Sequence, residues 1–241
     1  LTPIGQTLLT RARSLLRDWD TLERVAQSLR QGWEPELKLV VDHAFPYQRL
    51  LAILGELQKA CPNTQLQFTA AVLSGAEEAI VGGTADVVLT ARVPPGFLGD
   101  WLLDMPFIVA AHRDHPLFEL GRSVTADDLA RHTQVVIRDT GVRRPRDEGW
   151  LGSTVRWTVG SMDAALAVLR AGLAYGWLPE HIVEPSLKDG TLQRIPLAFG
   201  AERKVPIYIV LTRPDSAGPA ARTAVELFQR HVPAPPQSAS H

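Results

Sequence analysis

The sequence predicts an α/β protein of two βα lobes, preceded by a long N-terminal helix. Three observations carry this. From residue 36 onward, short apolar runs alternate with stretches that repeat at the helical period. No Gly/Ser-rich linker divides the chain, yet Asp104-Met105-Pro106 and Thr212-Arg213-Pro214 mark two places where it would cross between lobes. Residues 1–32 instead carry a heptad seam.

Thr2-Pro3 reads as an N-cap followed by a proline at the first helical position. Leu8, Ala12, Leu15, Trp19, Leu22, Ala26 and Leu29 then alternate in steps of four and three, with charged residues between them. Gly32 ends the helix and Pro35 prevents its resumption. Such a pattern fits a helix packed on its own domain. A seam this long, closed by Gly and Pro, favours a dimerising coiled coil over that simpler use.

Leu37-Lys38-Leu39-Val40-Val41 is a short buried strand. His43 to Pro46 starts a helix whose apolar face is Leu50, Leu51, Leu54 and Leu57. Leu66 to Ala70 is the second strand. Ser74-Gly75 opens a helix that stops at Gly82-Gly83, and Asp86 to Leu89 follows as a strand. Phe107 to Ala111 is a strand closed by the His115-Pro116 turn. Thr125 caps a short helix over 126–130, and strands follow at Val135 to Arg138 and Val155 to Val159. Ser161 caps a helix with Ala165, Leu166, Val168 and Leu169 on its apolar side, stopped by Gly172. Ala174 to Leu178 is a strand, and Pro179 opens a short helix. Leu192 to Leu197 and Val205 to Leu211 read as a pair of strands, and Ser216 to His231 as the last helix. This order implies parallel pairing within each lobe, each lobe having its own short sheet. The lobes are expected at 36–104 with 213–232, and at 105–212; the Pro/Ser-rich tail 233–241 is expected to be disordered.

Composition excludes several classes. Lys+Arg 25 against Asp+Glu 26 leaves a net charge of -1, without the basic excess that phosphate neutralisation demands of a chain holding DNA by itself. The lone Cys61 rules out an internal disulfide or a Cys-rich metal site. No apolar run reaches the ~18 residues of a membrane span. Leu1-Thr2-Pro3 does not begin an export signal, so a cytoplasmic protein is expected. His112 and His115 stand across a turn without the converging ligands zinc needs. With no nucleophile elbow or phosphate loop, neither catalytic residues nor cofactors are expected. The run Arg143-Arg144-Pro145-Arg146-Asp147-Glu148 reads as a solvated loop, or as a rim for an anionic ligand.

A series of local patterns resembles the LysR-type transcriptional regulators. Leu1-Thr2-Pro3-Ile4-Gly5 is similar to the junction between that family's winged helix-turn-helix head and its linker helix. The unit from Leu37 to Pro62 and the run Gly82-Gly83-Thr84-Ala85-Asp86-Val87-Val88 resemble its first sensing units. Asp114-His115-Pro116-Leu117 matches a common turn. Ala171-Gly172-Leu173-Ala174-Tyr175-Gly176-Trp177-Leu178-Pro179 matches its Ala-Gly-x-Gly-x-x-x-Leu-Pro segment, with Ala174 where Gly is usual. Lys188 to Leu192 resembles its Gly-x-Leu turn. The order of the matches, more than any one of them, carries the resemblance.

The resemblance implies a two-lobed type-2 periplasmic-binding-protein-like domain that binds a small-molecule effector and does no chemistry. It also implies pairing with itself (a dimer, and a tetramer in the full-length protein) through the linker helix and through a side-by-side contact of sensing domains. Promoter DNA would be held through a head upstream of Leu1, and RNA polymerase is a further partner. No membrane partner is implied. A free-standing solute-binding protein of a transport system would share the fold; the heptad helix argues against it. Effectors in this family lie at loops leading into helix N-termini, where unpaired N–H groups favour anions. The corresponding residues are His43, Ala44 and Phe45; Ser74 and Gly75; Arg138, Asp139 and Thr140; and Ser161 and Met162. Ser74 and Ser161 also read as plain N-caps. His43-Ala44-Phe45 replaces the usual hydroxyl, which suggests a flat ligand, an aromatic acid with Arg138 as its counter-charge.

Overall fold

The computed structural model describes residues 33–143, 145–200 and 202–232, with positions 2, 12, 16 and 19. The expected linker helix over 1–32, but for those four positions, and the expected disordered tail 233–241 lie outside the described residues. The chain runs β1 (Glu36–Asp42), α1 (Tyr47–Ala60), β2 (Gln65–Ala71), α2 (Ser74–Gly82), β3 (Val87–Thr90) and β4 (Asp100–His112). A 3-10 turn (Pro116–Leu120) leads to α3 (Ala126–Ala130), β5 (Gln134–Ile137), β6 (Arg156–Val159), α4 (Met162–Arg170) and β7 (Tyr175–Pro179). The remainder is α5 (Glu180–Lys188), β8 (Leu192–Arg194), β9 (Glu202–Leu211), a 3-10 turn (Pro214–Ser216) and α6 (Pro219–His231).

β1 pairs in parallel with β2 and β3, and β5 with β6 and β7, as the βα alternation predicts. The sheets are not separate, however. All nine strands join in one sheet of order β2-β1-β3-β9-β4-β7-β5-β6, with β8 on β4. The reason is the length of β4, 13 residues, and β9, 10 residues. They run antiparallel to each other from Asp100↔Ile209 to Ile108↔Glu202 and carry the hydrogen bonding from one lobe into the other. Of the two strands expected at the end of the chain, the first is shorter, Leu192–Arg194, the second begins earlier, at Glu202, and they do not pair with each other. β8 pairs with β4, and β9 with β4 and β3. Pro106 and Pro206 both fall in the β4–β9 ladder, and each withholds an N–H from it.

Local chemistry places the elements. α1 buries Leu50, Ile53, Leu54 and Leu57, the i, i+3, i+4, i+7 stripe. Leu51, expected on that face, is exposed, because one residue turns the helix by about 100°. Phe45 packs edge-to-face on Phe228 of α6, centroids 5.8 Å apart. Glu34 caps α6 by accepting the Ala220 and Ala221 N–H groups at 2.9 and 3.1 Å. Thr125 and Asp128 form a reciprocal capping box on α3. His115 accepts the Leu117 N–H at 3.2 Å, closing the turn predicted around His115-Pro116.

Candidate ligand site between the lobes

A cavity of about 120 Å³ is lined by residues of both lobes and of the β4–β9 ladder. Its floor is apolar: Val135, Val136 and Ile137 of β5, Phe107 of β4, Val205 of β9, Met162 of α4 and Trp177 of β7. Lobe I contributes the strand ends, with Asp42, His43 and Ala44 after β1, Val72 and Leu73 after β2, and Ala91 after β3. Glu148, Gly149 and Arg203 complete the wall. Ligands in α/β sheets collect at such carboxyl ends of strands.

A polar seam closes the lobes beside this cavity. Leu73 takes a left-handed φ of 51° as the chain turns into α2. Ser74, which follows, is not the helix cap: its hydroxyl donates instead to Asp139 Oδ2 at 2.6 Å. Asp139 also accepts the backbone N–H groups of Gly141 at 2.8 Å and Arg146 at 2.6 Å. Burial opposes the Asp139 charge, but the bonds from Ser74 and these backbone groups outweigh it and hold the carboxyl below its ordinary range. Thr140 Oγ1 accepts Val72 N–H at 2.9 Å and donates to Val72 O at 3.1 Å. The approach is so close that a Cβ on Gly75 would lie 2.0 Å from Thr140 Oγ1.

Three residues of the charged run, Arg143, Arg146 and Glu148, extend the seam. Glu78 accepts the backbone N–H groups of Val142 at 3.1 Å and Arg143 at 2.7 Å. The Arg146 guanidinium grips Glu77 of α2 with both terminal nitrogens. Glu148 pairs with Arg203 at 3.2 Å and Arg92 at 3.5 Å.

Asp42 is the buried carboxyl of the cavity. Its Oδ1 accepts Ala44 N–H at 2.9 Å. Burial pushes its carboxyl up to about 6, against backbone bonds from Ala44 and Ala91 that pull the other way. Burial likewise lowers the His43 imidazole, with Asp163 opposing.

The ten residues singled out from sequence divide among five places. His43, Ala44 and Met162 line the cavity. Ser74, Gly75, Asp139 and Thr140 come together in the seam, bonded to or packed against one another. Phe45 belongs to the core against Phe228, and Ser161 caps α4, accepting Ala164 N–H at 3.1 Å. Arg138 is exposed and does not line the cavity; its guanidinium is not ion-paired among the described residues, and Asp139 turns to Ser74 instead. Sequence reading missed Asp42, Phe107, Trp177 and Arg203, while Glu148 belongs to the charged run it offered as a rim. Asp42 was legible in one respect, as a carboxylate ending an apolar parallel strand.

His43 and Met162 also border a larger open groove of about 860 Å³ between the N-terminal ends of α1, α4 and α5. Among the described residues no group of three or more His, Cys, Asp or Glu is placed to hold a metal ion. No described helix is long and apolar enough to cross a membrane.

Comparison with known proteins gives a consistent neighbourhood. The family model for the LysR substrate binding domain matches residues 30–233. The uncharacterized HTH-type transcriptional regulator YeeY of Escherichia coli K12 is 30% identical over 200 residues, which cover 79% of this chain and 63% of YeeY. The probable HTH-type transcriptional regulator YhaJ of the same strain is 28% identical over 224 residues, covering 91% of this chain and 74% of YhaJ. The chain therefore spans slightly under two thirds of YeeY and about three quarters of YhaJ. Among solved structures, the regulatory domain of Synechocystis PCC6803 CcmR in complex with 2-PG superposes with a TM-score of 0.62 at 16% identity, covering 82% of this chain and 97% of that one. At that identity the likeness establishes the fold.

Proposed function

Since the chain belongs to the LysR substrate binding domain family, we propose that it is the effector-sensing part of a DNA-binding transcription regulator, and that the effector occupies the cavity between the lobes. The lobes are residues 36–104 with 213–232, and 105–212, crossed by β4 and β9. The observation that carries this is the partly open, mainly apolar cavity at the strand ends, with a few polar groups in its lining, the usual form of a small-molecule site. CcmR, of like fold, holds 2-PG in its regulatory domain, which supports ligand binding here without naming the ligand. A cavity of about 120 Å³ admits something near the size of one aromatic ring.

The reading makes the chain a binding module of a cytoplasmic regulator, with promoter DNA held by a helix-turn-helix head and no catalysis. A transport receptor is the weaker reading because the family and the relatives are regulators. Self-association rests on the heptad seam of residues 1–32 and on exposed apolar residues, Phe68 and Trp157 on the two edge strands β2 and β6, and Leu51 on α1. Putting Asp at Leu15 and Leu22 should lower the sedimenting mass of the chain, since unpaired charge would enter an apolar seam; an unchanged mass removes that contact. The cavity is tested by calorimetry with small aromatic compounds on wild type and on Ala44→Leu, which fills the site from a position that is 2% exposed. Binding to wild type and its loss in Ala44→Leu is expected; equal binding to both would place the effector elsewhere.

A further inference from the structure

Besides His43, three ionisable side chains line the cavity, and two of them pair with each other. Arg203 and Glu148 are paired at 3.2 Å, with Arg92 behind Glu148 at 3.5 Å. Asp42 is different. It is 8% exposed, it accepts only backbone N–H groups from Ala44 and Ala91, and no cation is paired with it among the described residues. The His43 imidazole, which also lines the cavity, feels the charge of Asp163, and burial disfavours its own cationic form. A carboxylate offers about four lone-pair directions, so two backbone donors leave it acceptor capacity toward the cavity.

On the reading that this cavity is the effector site, we propose that the effector is a small planar molecule presenting an N–H donor to Asp42, most favourably a cationic one, and not a carboxylic acid. An acid has two places to go in this cavity, and both are poor. Beside Arg203 it must share the guanidinium with Glu148, which sets a second carboxylate close to the first. Beside Asp42 it sets like charges together at low dielectric unless a proton is kept between them. Arg138, the counter-charge an acid would need, is exposed and outside the cavity wall. An amidinium or protonated ring nitrogen meets none of these costs. Its ring lies against Phe107, Met162, Trp177 and β5 while its N–H makes a charge-assisted bond to Asp42.

The test uses three isosteric probes, benzamidine, benzamide and benzoate, titrated calorimetrically into the full chain, its Asp42→Asn variant and its Ala44→Leu variant. Expected is the order benzamidine, benzamide, benzoate, with about ten-fold between the first and last, the scale of one hydrogen bond to a charged group. Asp42→Asn should erase the preference for the cation, and Ala44→Leu should abolish binding of all three. A second readout needs no variant. Because burial holds the free Asp42 carboxyl near 6, benzamidine binding to wild type should tighten as pH rises from about 5 to about 7, where Asp42 ionises. The charged groups around Asp42 are His43 on the same turn, Asp163 of α4 beyond it, Glu148 after β5, Arg203 of β9 and Arg92 after β3. Asp42→Asn retains all of them, so the part of the pH slope it removes belongs to Asp42. Benzoate bound as tightly as benzamidine, or a cation preference that survives Asp42→Asn, overturns the proposal while leaving the cavity as the site. Probes that fail to bind at about 10 mM, well above a weak fragment constant, or that bind Ala44→Leu unchanged, overturn the cavity itself.

Discussion

Replacing Gly141 by Ala wedges the lobes apart without removing any polar group. A Cβ there would stand 2.0 Å from Ser74 Oγ, 3.0 Å from Glu78 Oε1 and 3.1 Å from the Ser74 carbonyl carbon. Non-bonded heavy atoms rest about 3.5–4.0 Å apart. Ser74 Oγ can swing clear only by giving up its 2.6 Å bond to Asp139. The Glu78 carboxylate is held in turn by the Val142 and Arg143 N–H groups. The Ser74 carbonyl carbon has no rotamer to escape into, so the backbones must separate by several tenths of an ångström. The φ of Gly141 lies outside the left-handed region, so the effect is steric rather than conformational. Overpacking of this kind costs about 1–3 kcal/mol. Denaturant unfolding should show that loss. Hydrogen exchange should also speed up at the amides of Thr140, Val142, Arg143 and Arg146, whose partners this seam supplies, while β1–β2 amides keep their protection relative to global unfolding. Unchanged stability together with unchanged protection at those four amides would refute the seam.

Arg146→Ala leaves Glu77 without its guanidinium; partial exposure, 29% and 15% of the side chains, limits the cost to about 1 kcal/mol by denaturant titration. That difference should shrink in high salt, and a salt-independent one would point to packing. Gly55 lies mid-helix in α1 with nothing within 4 Å of an added Cβ, so Gly55→Ala should stabilise by about 0.5–1 kcal/mol; a loss would contradict the open space. Burial raises Asp42 from 3.8 to about 6, so folding favours its protonated form. The stability it contributes is whole below about pH 4 and lost as pH rises through about 6, so Asp42→Asn should raise the melting temperature relative to wild type at about pH 8 and not at about pH 4. An equal difference at both pH values would contradict a raised carboxyl.

Much of the fold was legible because periodicity and caps are local. The α1 stripe, the Thr125 capping box and the Ser161 cap follow from neighbours in the chain. What local pattern cannot carry is pairing across the sequence. Val205 to Leu211 reads as a strand, but that it joins β4 to β3, and so makes one sheet of two, depends on partners about 100 residues away. The site shows the same division. Loops that precede helix N-termini were identified as the ligand-facing segments, and three of their residues line the cavity. Ser74 and Thr140 were indistinguishable in sequence from ligand-binding hydroxyls. Only the folded register, 65 residues from Ser74 to Asp139, shows that they satisfy each other's lobes. Arg146 and Glu77, 69 residues apart, are the same case: a mixed-charge run looks solvated until its partners arrive.

The seam and the cavity are not independent. Val72 lines the cavity, and its N–H and carbonyl are both engaged by Thr140. Leu73 lines the cavity with the left-handed turn that aims Ser74 at Asp139. Glu148 closes the cavity wall while holding Arg92 and Arg203 from two other strands' ends. A molecule that fills the cavity would touch the residues that fasten the lobes, so the expected outcome is tighter binding to the closed arrangement than to an opened one. Differential affinity is all that an effector needs to shift a two-state domain, and the coupling must run both ways. Gly141→Ala, which opens the seam from outside the cavity and touches no lining residue, should weaken binding of a cavity ligand by about 5-fold or more, the low end of ordinary coupling energies. The same ligand should in turn slow hydrogen exchange at the Thr140, Val142 and Arg143 amides in wild type. A ligand whose affinity ignores Gly141→Ala and whose binding leaves those amides unprotected would show that occupancy and lobe closure are uncoupled, however tightly it binds.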